Sequence, residues 1–530
     1  MTTPSVLPLA IVVVPLAAVV PILASGARPT VREGWTFVAA LLTLGVTSLA
    51  TTRVLNGVVS ETVLGELVQG TPFAFRVDAL GALFALLASF LWLVASVYSV
   101  GYMRSLDEHD QTRYFAAFAA SIGTTMGVAL AANLLTLFVF YELLTVATYP
   151  LVTHHETAEA RRSGRKYLAY TLTGGVAILA GIVLVYVTAG SVDFVAGGLS
   201  GLESEPVVAT VAYALLVAGF GVKAAVMPLH GWLPDAMVAP TPVSGLLHAV
   251  AVVKSGVFGL ARVVLFVFGV GTVRSLGLGD PLAFAAAATM LLGGVLALRQ
   301  DKLKRGLAYS TVSQLSYIVL GVALLTPTAV FGALLHLVAH AFMKITLFFC
   351  AGAIYVETDV EYVGEMGGIW RRLPATMTAF AVGSAGLVGF PGIAGFVSKW
   401  HLVLGALEAD ALPYAAVFLL AGVLKLLFLW PVLLTAYSGG DALTGFRPVR
   451  DHDDGARNDE PAAAHDGGRE APDEDEQSTG WDRRTPLTES TWRLVGPILV
   501  TAGGAIVLGV VPDATPFWDL ARTVSTGVVP

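Results

Sequence analysis

The chain has 530 residues, 55% of them hydrophobic and 13% charged, with a formal net charge of −7 and a mean hydropathy of +0.75. These values lie far from those of soluble globular proteins and exclude a soluble fold. The single cysteine, Cys350, excludes an internal disulfide and leaves too few ligands for an Fe–S or Cys-based zinc site, so any redox chemistry would fall to a partner.

Apolar runs long enough to cross about 30 Å of hydrocarbon fall near residues 5–24, 36–56, 77–100, 113–132, 134–152, 167–188, 207–227, 241–267, 280–298, 304–325, 329–353, 374–400, 412–437 and 491–511. They predict an all-α integral membrane protein of about fourteen transmembrane helices, because run length and the lack of two-residue alternation exclude a β-barrel. The first run has no basic residue ahead of it, so despite the cleavage-like ASGA at 24–27 it is expected to be a retained span. Helices 1–3 (1–112) precede two five-helix halves, 113–267 and 280–437. A segment 438–490 and a last helix with its tail, 491–530, complete the division.

Residues 439–490 hold 14 acids and 6 bases and lack apolar periodicity. This segment is expected to be a disordered loop, either a solvated insertion or an acidic docking segment. Basic residues cluster in alternate loops: Arg161, Arg162, Arg165 and Lys166; Arg299, Lys302, Lys304 and Arg305; Arg371 and Arg372. The positive-inside rule puts these loops and the acidic segment in the cytoplasm and both termini outside.

Five of the eight lysines, Lys223, Lys254, Lys344, Lys399 and Lys425, fall within predicted spans. An ammonium there costs several kcal/mol, so such residues line a bundle interior or watery cavity and serve ion traffic, unless they snorkel from a helix end. Snorkelling is the reading for Lys425, whose neighbours LLFLW offer no polar company. Glu142 is the one acid well inside a span and needs a cationic or protonated partner, which a lysine of a neighbouring helix would supply. Such a pair either switches proton affinity or fixes helix packing as an inert ion pair.

Two spans carry breaks beside their lysines. Lys223 is followed by AAVMPLHGWLPDA, with Pro228 and Pro234, and GFPGIAG, with Pro391 and Gly392, precedes Lys399. Broken helices in corresponding places of two halves mark ion pathways in inverted-repeat transporters. The breaks occupy the fourth helix of each half, which predicts two inverted five-helix repeats with broken helices 7 and 12.

His336, His340 and Lys344 recur at i+4 and so share one helix face. The stripe suits proton relay, since an imidazole can accept on one nitrogen and donate from the other. A two-histidine metal site lacks the internal Glu of a zinc-protease helix and would meet a cationic lysine. Interhelical hydrogen bonding is the remaining alternative. His230, in the first break, and His248, ahead of Lys254, could extend a water chain, whereas His154 and His155 read as solvated loop residues.

These residues stand in motifs: YELLTVATYPLV, GFGVKAAVMPLHGWLPDAMVAPTPVSGLLHAVAVVKSGVFGLAR, DKLKRGLAYSTVSQLSY, HAFMKITLFFCAGAI and GFPGIAGFVSKW. Over roughly residues 70–440 the chain resembles the proton-conducting antiporter-type subunits shared by Mrp-type cation/proton antiporters, respiratory complex I and membrane-bound hydrogenases. The resemblance implies that Glu142 pairs with Lys223, that Lys254 lies on a central axis and that Lys399 terminates a half-channel. A lysine at the last position looks most like the D subunit of Mrp-type antiporters. The acidic segment departs from the family pattern.

The expected function is therefore proton movement along an intramembrane Lys/Glu/His and water axis, as part of a multisubunit Na⁺/H⁺ antiporter in the cell membrane. The alternatives are a proton-pumping subunit of a respiratory complex I or membrane-bound hydrogenase, and an inert membrane scaffold. No cofactor, metal or enzymatic activity of its own is expected. The transported ions would be H⁺ and, in one version, Na⁺. The partners would be the lipid bilayer and other membrane subunits, with no nucleic acid.

Overall fold

The computed structural model describes residues 2–438 and 481–529. For residues 439–480 the expected disorder lies outside the described residues. The helices are α1 (Leu7–Ala24), α2 (Pro29–Leu55), α3 (Ala79–Ser105), α4 (Gln111–Leu130), α5 (Leu134–Val152), α6 (Ala158–Ala189), α7 (Pro206–Lys223), α8 (Thr241–Ser275), α9 (Gly279–Leu298), α10 (Leu303–Ala323), α11 (Pro327–Thr358), α12 (Pro374–Val388), α13 (Ala394–Glu408), α14 (Leu412–Tyr437), α15 (Trp492–Val510) and α16 (Pro516–Val528). Asp78, Asn133, Thr157 and Thr326 start α3, α5, α6 and α11 by accepting an N–H three residues on.

Twelve of these, among the described residues, are long and apolar enough to cross a membrane. The chain is an integral, multi-pass membrane protein. α4, the α12–α13 pair and α16 stand outside the twelve; each member of that pair has only 15 residues, and α16 has 13.

Burial sorts the helices into a centre and a rim. The most apolar stretch of α11 is 100% buried and those of α8 and α10 are 94% buried, against 33% for α1, α6 and α14. Inward-facing polar groups of α8, α10 and α11 are thus out of reach of lipid and cost free energy wherever they lack a partner within the bundle. α8 carries two π-helical stretches, Leu246–Val250 and Val263–Phe268, the kind of distortion that gathers at functional sites.

The architecture is not wholly helical. Thr2–Pro4 (β1), Val59–Val68 (β2) and Thr71–Val77 (β3) form a sheet, parallel between β1 and β2 and antiparallel between β2 and β3. The hairpin turns on Gln69 and Gly70, whose φ of 78° suits a two-residue turn. A search for long apolar runs passes over such strands.

The acidic loop also ends earlier than expected, because residues 481–490 are packed against the bundle. Trp481 Nε1 donates to the Gly367 carbonyl at 2.8 Å, and the Arg484 N–H donates to the Arg371 carbonyl. Glu489, fully buried, accepts from the N–H groups of Ala375 and Thr376 at 2.6 and 2.9 Å and from the Thr376 hydroxyl at 2.7 Å. Its carboxylate thereby caps the first turn of α12, where the helix dipole favours an anion.

Candidate functional site: a buried lysine and histidine axis

α7 ends at Lys223, so the expected break falls directly after the lysine, at residues 224–231, and Pro234 lies in a short helical turn, Trp232–Asp235. Lys223 is fully buried. Its Nζ donates to the Tyr141 carbonyl at 2.5 Å and sits 3.6 Å from the centre of the Tyr141 ring. A desolvated cation over an aromatic face gains roughly 2 kcal/mol, which offsets part of the burial cost.

Glu142, the next residue, makes no ion pair with Lys223 within 4.0 Å, and its Oε1 is buried without a hydrogen-bond partner among the described residues. The lysine is therefore held by the backbone of the glutamate's neighbour, and the two charges interact through space. Gly175 makes room for the carboxylate: a Cβ there would collide with Glu142 Oε1.

The second break exposes acceptors by a simple rule. In an unbroken helix the Leu387 carbonyl would accept the N–H of residue 391, but residue 391 is proline and has none. Gly389, at φ 102°, and Gly392, at φ 83°, turn the chain between α12 and α13. The freed Leu387 carbonyl accepts from Lys399 Nζ, and the Val388 carbonyl accepts from it at 3.1 Å. Lys399 also faces the Tyr317 ring, 5.0 Å from its centre.

Between the breaks runs a chain of buried polar groups. Lys254 Nζ lies 2.8 Å from His340 Nδ1. The His340 and His336 ring centres are 6.2 Å apart. His336 Nδ1 lies 2.8 Å from Ser398 Oγ, and its Nε2 lies 2.8 Å from Gln314 Oε1. Gln314 Nε2 in turn donates to the Leu387 carbonyl at 3.3 Å. Because the Gln314 oxygen can only accept, His336 carries its proton on Nε2 and accepts from Ser398 on Nδ1.

Lys344 shares the histidines' helix face but turns away from them, donating to the Leu307 carbonyl at 2.7 Å and to the Ser310 hydroxyl. The stripe thus divides between the axis and α10. His248, in the first π-helical stretch, is fully buried with neither ring nitrogen hydrogen-bonded among the described residues. His230 is half-buried in the first break, 6.2 Å from the Tyr309 ring.

Two readings are corrected. Lys425 does not snorkel: it is fully buried, and its Nζ lies 3.5 Å from where a Cβ of Gly294 would be. The space left by that glycine on a distant helix was invisible in LLFLW. His154 is likewise fully buried and not a solvated loop residue.

Sequence reasoning missed Gln314, Ser398 and Tyr317, uncharged groups that complete the chain. It also missed Arg262, fully buried and bound to Asp78 through two hydrogen bonds of 2.5 and 2.8 Å. A cavity of about 900 Å³ opens on the face bearing the basic loops, lined among others by His155, Lys166, Asp235 and Lys304.

Residues 131–425 match the family described as NADH:quinone oxidoreductase/Mrp antiporter, TM, and residues 69–115 match that of the NADH-ubiquinone oxidoreductase (complex I) chain 5 N-terminus. The chain belongs to this antiporter-like family. It is 35% identical to NADH-quinone oxidoreductase subunit N of Desulforudis audaxviator, over 85% of this chain and 90% of that protein. It is 36% identical to a probable K⁺/H⁺ antiporter subunit of Rhizobium meliloti, over 64% of this chain but only 33% of that longer protein. A chain of the Mrp complex of Dietzia sp. superposes with a TM-score of 0.81 at 24% identity, covering 99% of this chain and 97% of that one. This likeness shows a shared fold.

Proposed function

We propose that the chain is the proton-translocating subunit, of the D type, of a multisubunit Na⁺/H⁺ antiporter of the Mrp kind. The observation that carries this reading is the buried chain of titratable groups, Lys254 against His340, His336 beside it, and Lys399 tied to His336 by the Gln314 amide on their shared Leu387 carbonyl. Inert ion pairs would not need it, since a scaffold gains nothing from burying lysines without counter-ions.

In the proposed cycle a protonated Lys254 gives its proton to His340 Nδ1, and the imidazolium releases one from Nε2 toward His336. The 6.2 Å between the ring centres is crossed by ring motion or by water. His336 takes the proton up on Nδ1 and gives its Nε2 proton to a water, because the Gln314 amide and the Leu387 carbonyl position groups and carry no proton themselves. That water delivers it to neutral Lys399, whose new charge the Leu387 and Val388 carbonyls hold. Lys223 senses Glu142 across space, and a change of charge on either alters the other's proton affinity. Residues 113–267 (α4–α8) and 280–437 (α9–α14, with α12 and α13 as one broken span) act as inverted halves of about fourteen spans, each with its break beside a lysine. In this reading the chain sits in the cell membrane with both termini outside, bound to other membrane subunits, and needs no cofactor.

A second reading, a proton-pumping subunit of a complex I-type oxidoreductase, is favoured by the near full-length similarity to a subunit N. Copurifying subunits bearing Fe–S motifs would establish it. The primary test replaces Lys223 with Ala in the complete complex and follows pH gradients in inverted vesicles. Loss of Na⁺-driven proton movement is expected, and undiminished movement would overturn the proposal.

A further inference from the structure

Away from the axis, three imidazoles converge on one carboxylate oxygen. Glu108 Oε2, in the loop between α3 and α4, lies 3.7 Å from His109 Nδ1, 3.8 Å from His154 Nε2 and 3.8 Å from His155 Nδ1. The last two residues belong to the loop between α5 and α6. These separations are too long for hydrogen bonds. Neither nitrogen of the fully buried His154 has a hydrogen-bond partner among the described residues, a costly arrangement for a polar ring unless a ligand satisfies it.

Ligand atoms of Glu108, His109 and His154 all lie within 4.8 Å of one another. Donors around a tetrahedral zinc ion stand about 3.4 Å apart, so each imidazole is within a few tenths of an ångström of that spacing from Glu108 Oε2, and drawing the imidazoles together takes a larger movement that the exposed His109 can supply by side-chain rotation. Arg113, which donates to the His154 carbonyl, is engaged by Glu156 and by Asp110 at 3.4 Å.

We infer that Glu108, His109, His154 and His155 form a binding site for a divalent cation of borderline softness, Zn²⁺ being the best match to three imidazoles and one carboxylate. The ion would tie the α3–α4 loop to the α5–α6 loop at the rim of the 900 Å³ cavity, which Glu108, His109 and His155 line.

The test uses the full chain in its membrane complex, titrated with Zn²⁺ against a chromophoric chelator. The wild-type complex is expected to hold one more Zn²⁺ per chain than a Glu108→Gln or His154→Gln variant, each weakening that site at least tenfold. Co²⁺ at the same stoichiometry should give the intense visible bands of a tetrahedral site, and these bands should vanish in the variants. Equal Zn²⁺ retention by wild type and variants would overturn the site. Should His154→Gln fail to fold, the exposed His109→Gln serves with Glu108→Gln, and unchanged Zn²⁺ affinity in both would likewise overturn it.

Discussion

Gln314 and Lys399 meet on one acceptor: the amide nitrogen of Gln314, on α10, and the ammonium of Lys399, on α13, both donate to the Leu387 carbonyl at the end of α12. A side chain with no charge of its own therefore connects the histidine pair to the terminal lysine. Replacing Gln314 with Ala leaves the His336 Nε2–H unpartnered, a loss of ~1.4 kcal/mol that corresponds to about a tenfold fall in proton translocation. Fluorescence quenching in inverted vesicles would show it, and an unchanged initial rate would remove Gln314 from the pathway.

Pro391 should matter for what it lacks. Pro391→Ala restores an N–H able to satisfy the Leu387 carbonyl, so Lys399 loses part of its cradle and the break is partly healed. Transport should fall while assembly of the complex, followed by size exclusion, is kept. Normal transport would show that the freed carbonyl is dispensable.

The space beside Glu142 is equally specific. A Cβ at residue 175 would collide with the carboxylate, so Gly175→Ala should impair transport as Glu142→Gln does. The double variant should be no worse than either single one. Additive losses would place the two residues in separate processes.

The pair Asp78 and Arg262 carries a stability prediction. Burial is the largest influence on the Asp78 carboxyl and pushes it up. The Arg262 charge and hydrogen bonds, the Gly81 N–H and the Arg76 charge together outweigh that and hold it below its usual range. A depressed carboxylate stabilises the fold above its unfolded pKa, and that contribution is lost as pH falls from about 4 downward. Asp78→Asn leaves Arg262 buried without a counter-charge and should cost about 3–5 kcal/mol. Thermal melting of the purified complex would register it, and the acid-side dependence should flatten in the variant.

The membrane character, the positions of the lysines and both helix breaks were legible because each rests on local chemistry: apolar run length, the cost of a buried ammonium, and proline's missing N–H. What could not be read was decided between distant segments. Lys425 is buried because Gly294 leaves space for it, and His154 because the loop around Glu108 approaches it. Gln314 stood inside a quoted motif, STVSQLSY, but an amide gives no sign in a sequence that it will bridge two titratable groups. The β2–β3 hairpin was overlooked because neither strand alternates in burial or forms an apolar run of helical length. The order of groups along the axis belongs to tertiary packing: Lys344 repeats the spacing of the histidines yet turns to α10.

The residues flanking the acidic segment fasten to adjacent positions. The Thr435 carbonyl, near the end of α14, accepts the Gly368 N–H, and Trp481, where the chain is next described, donates to the Gly367 carbonyl. The described ends on either side of the segment therefore stand at adjacent points of the bundle, and extra chain length between ends so placed costs little, about 0.6 kcal/mol per doubling. Residues 439–480 are thus a natural insertion port, where a reporter domain or an affinity handle could be spliced in without pulling on the proton axis.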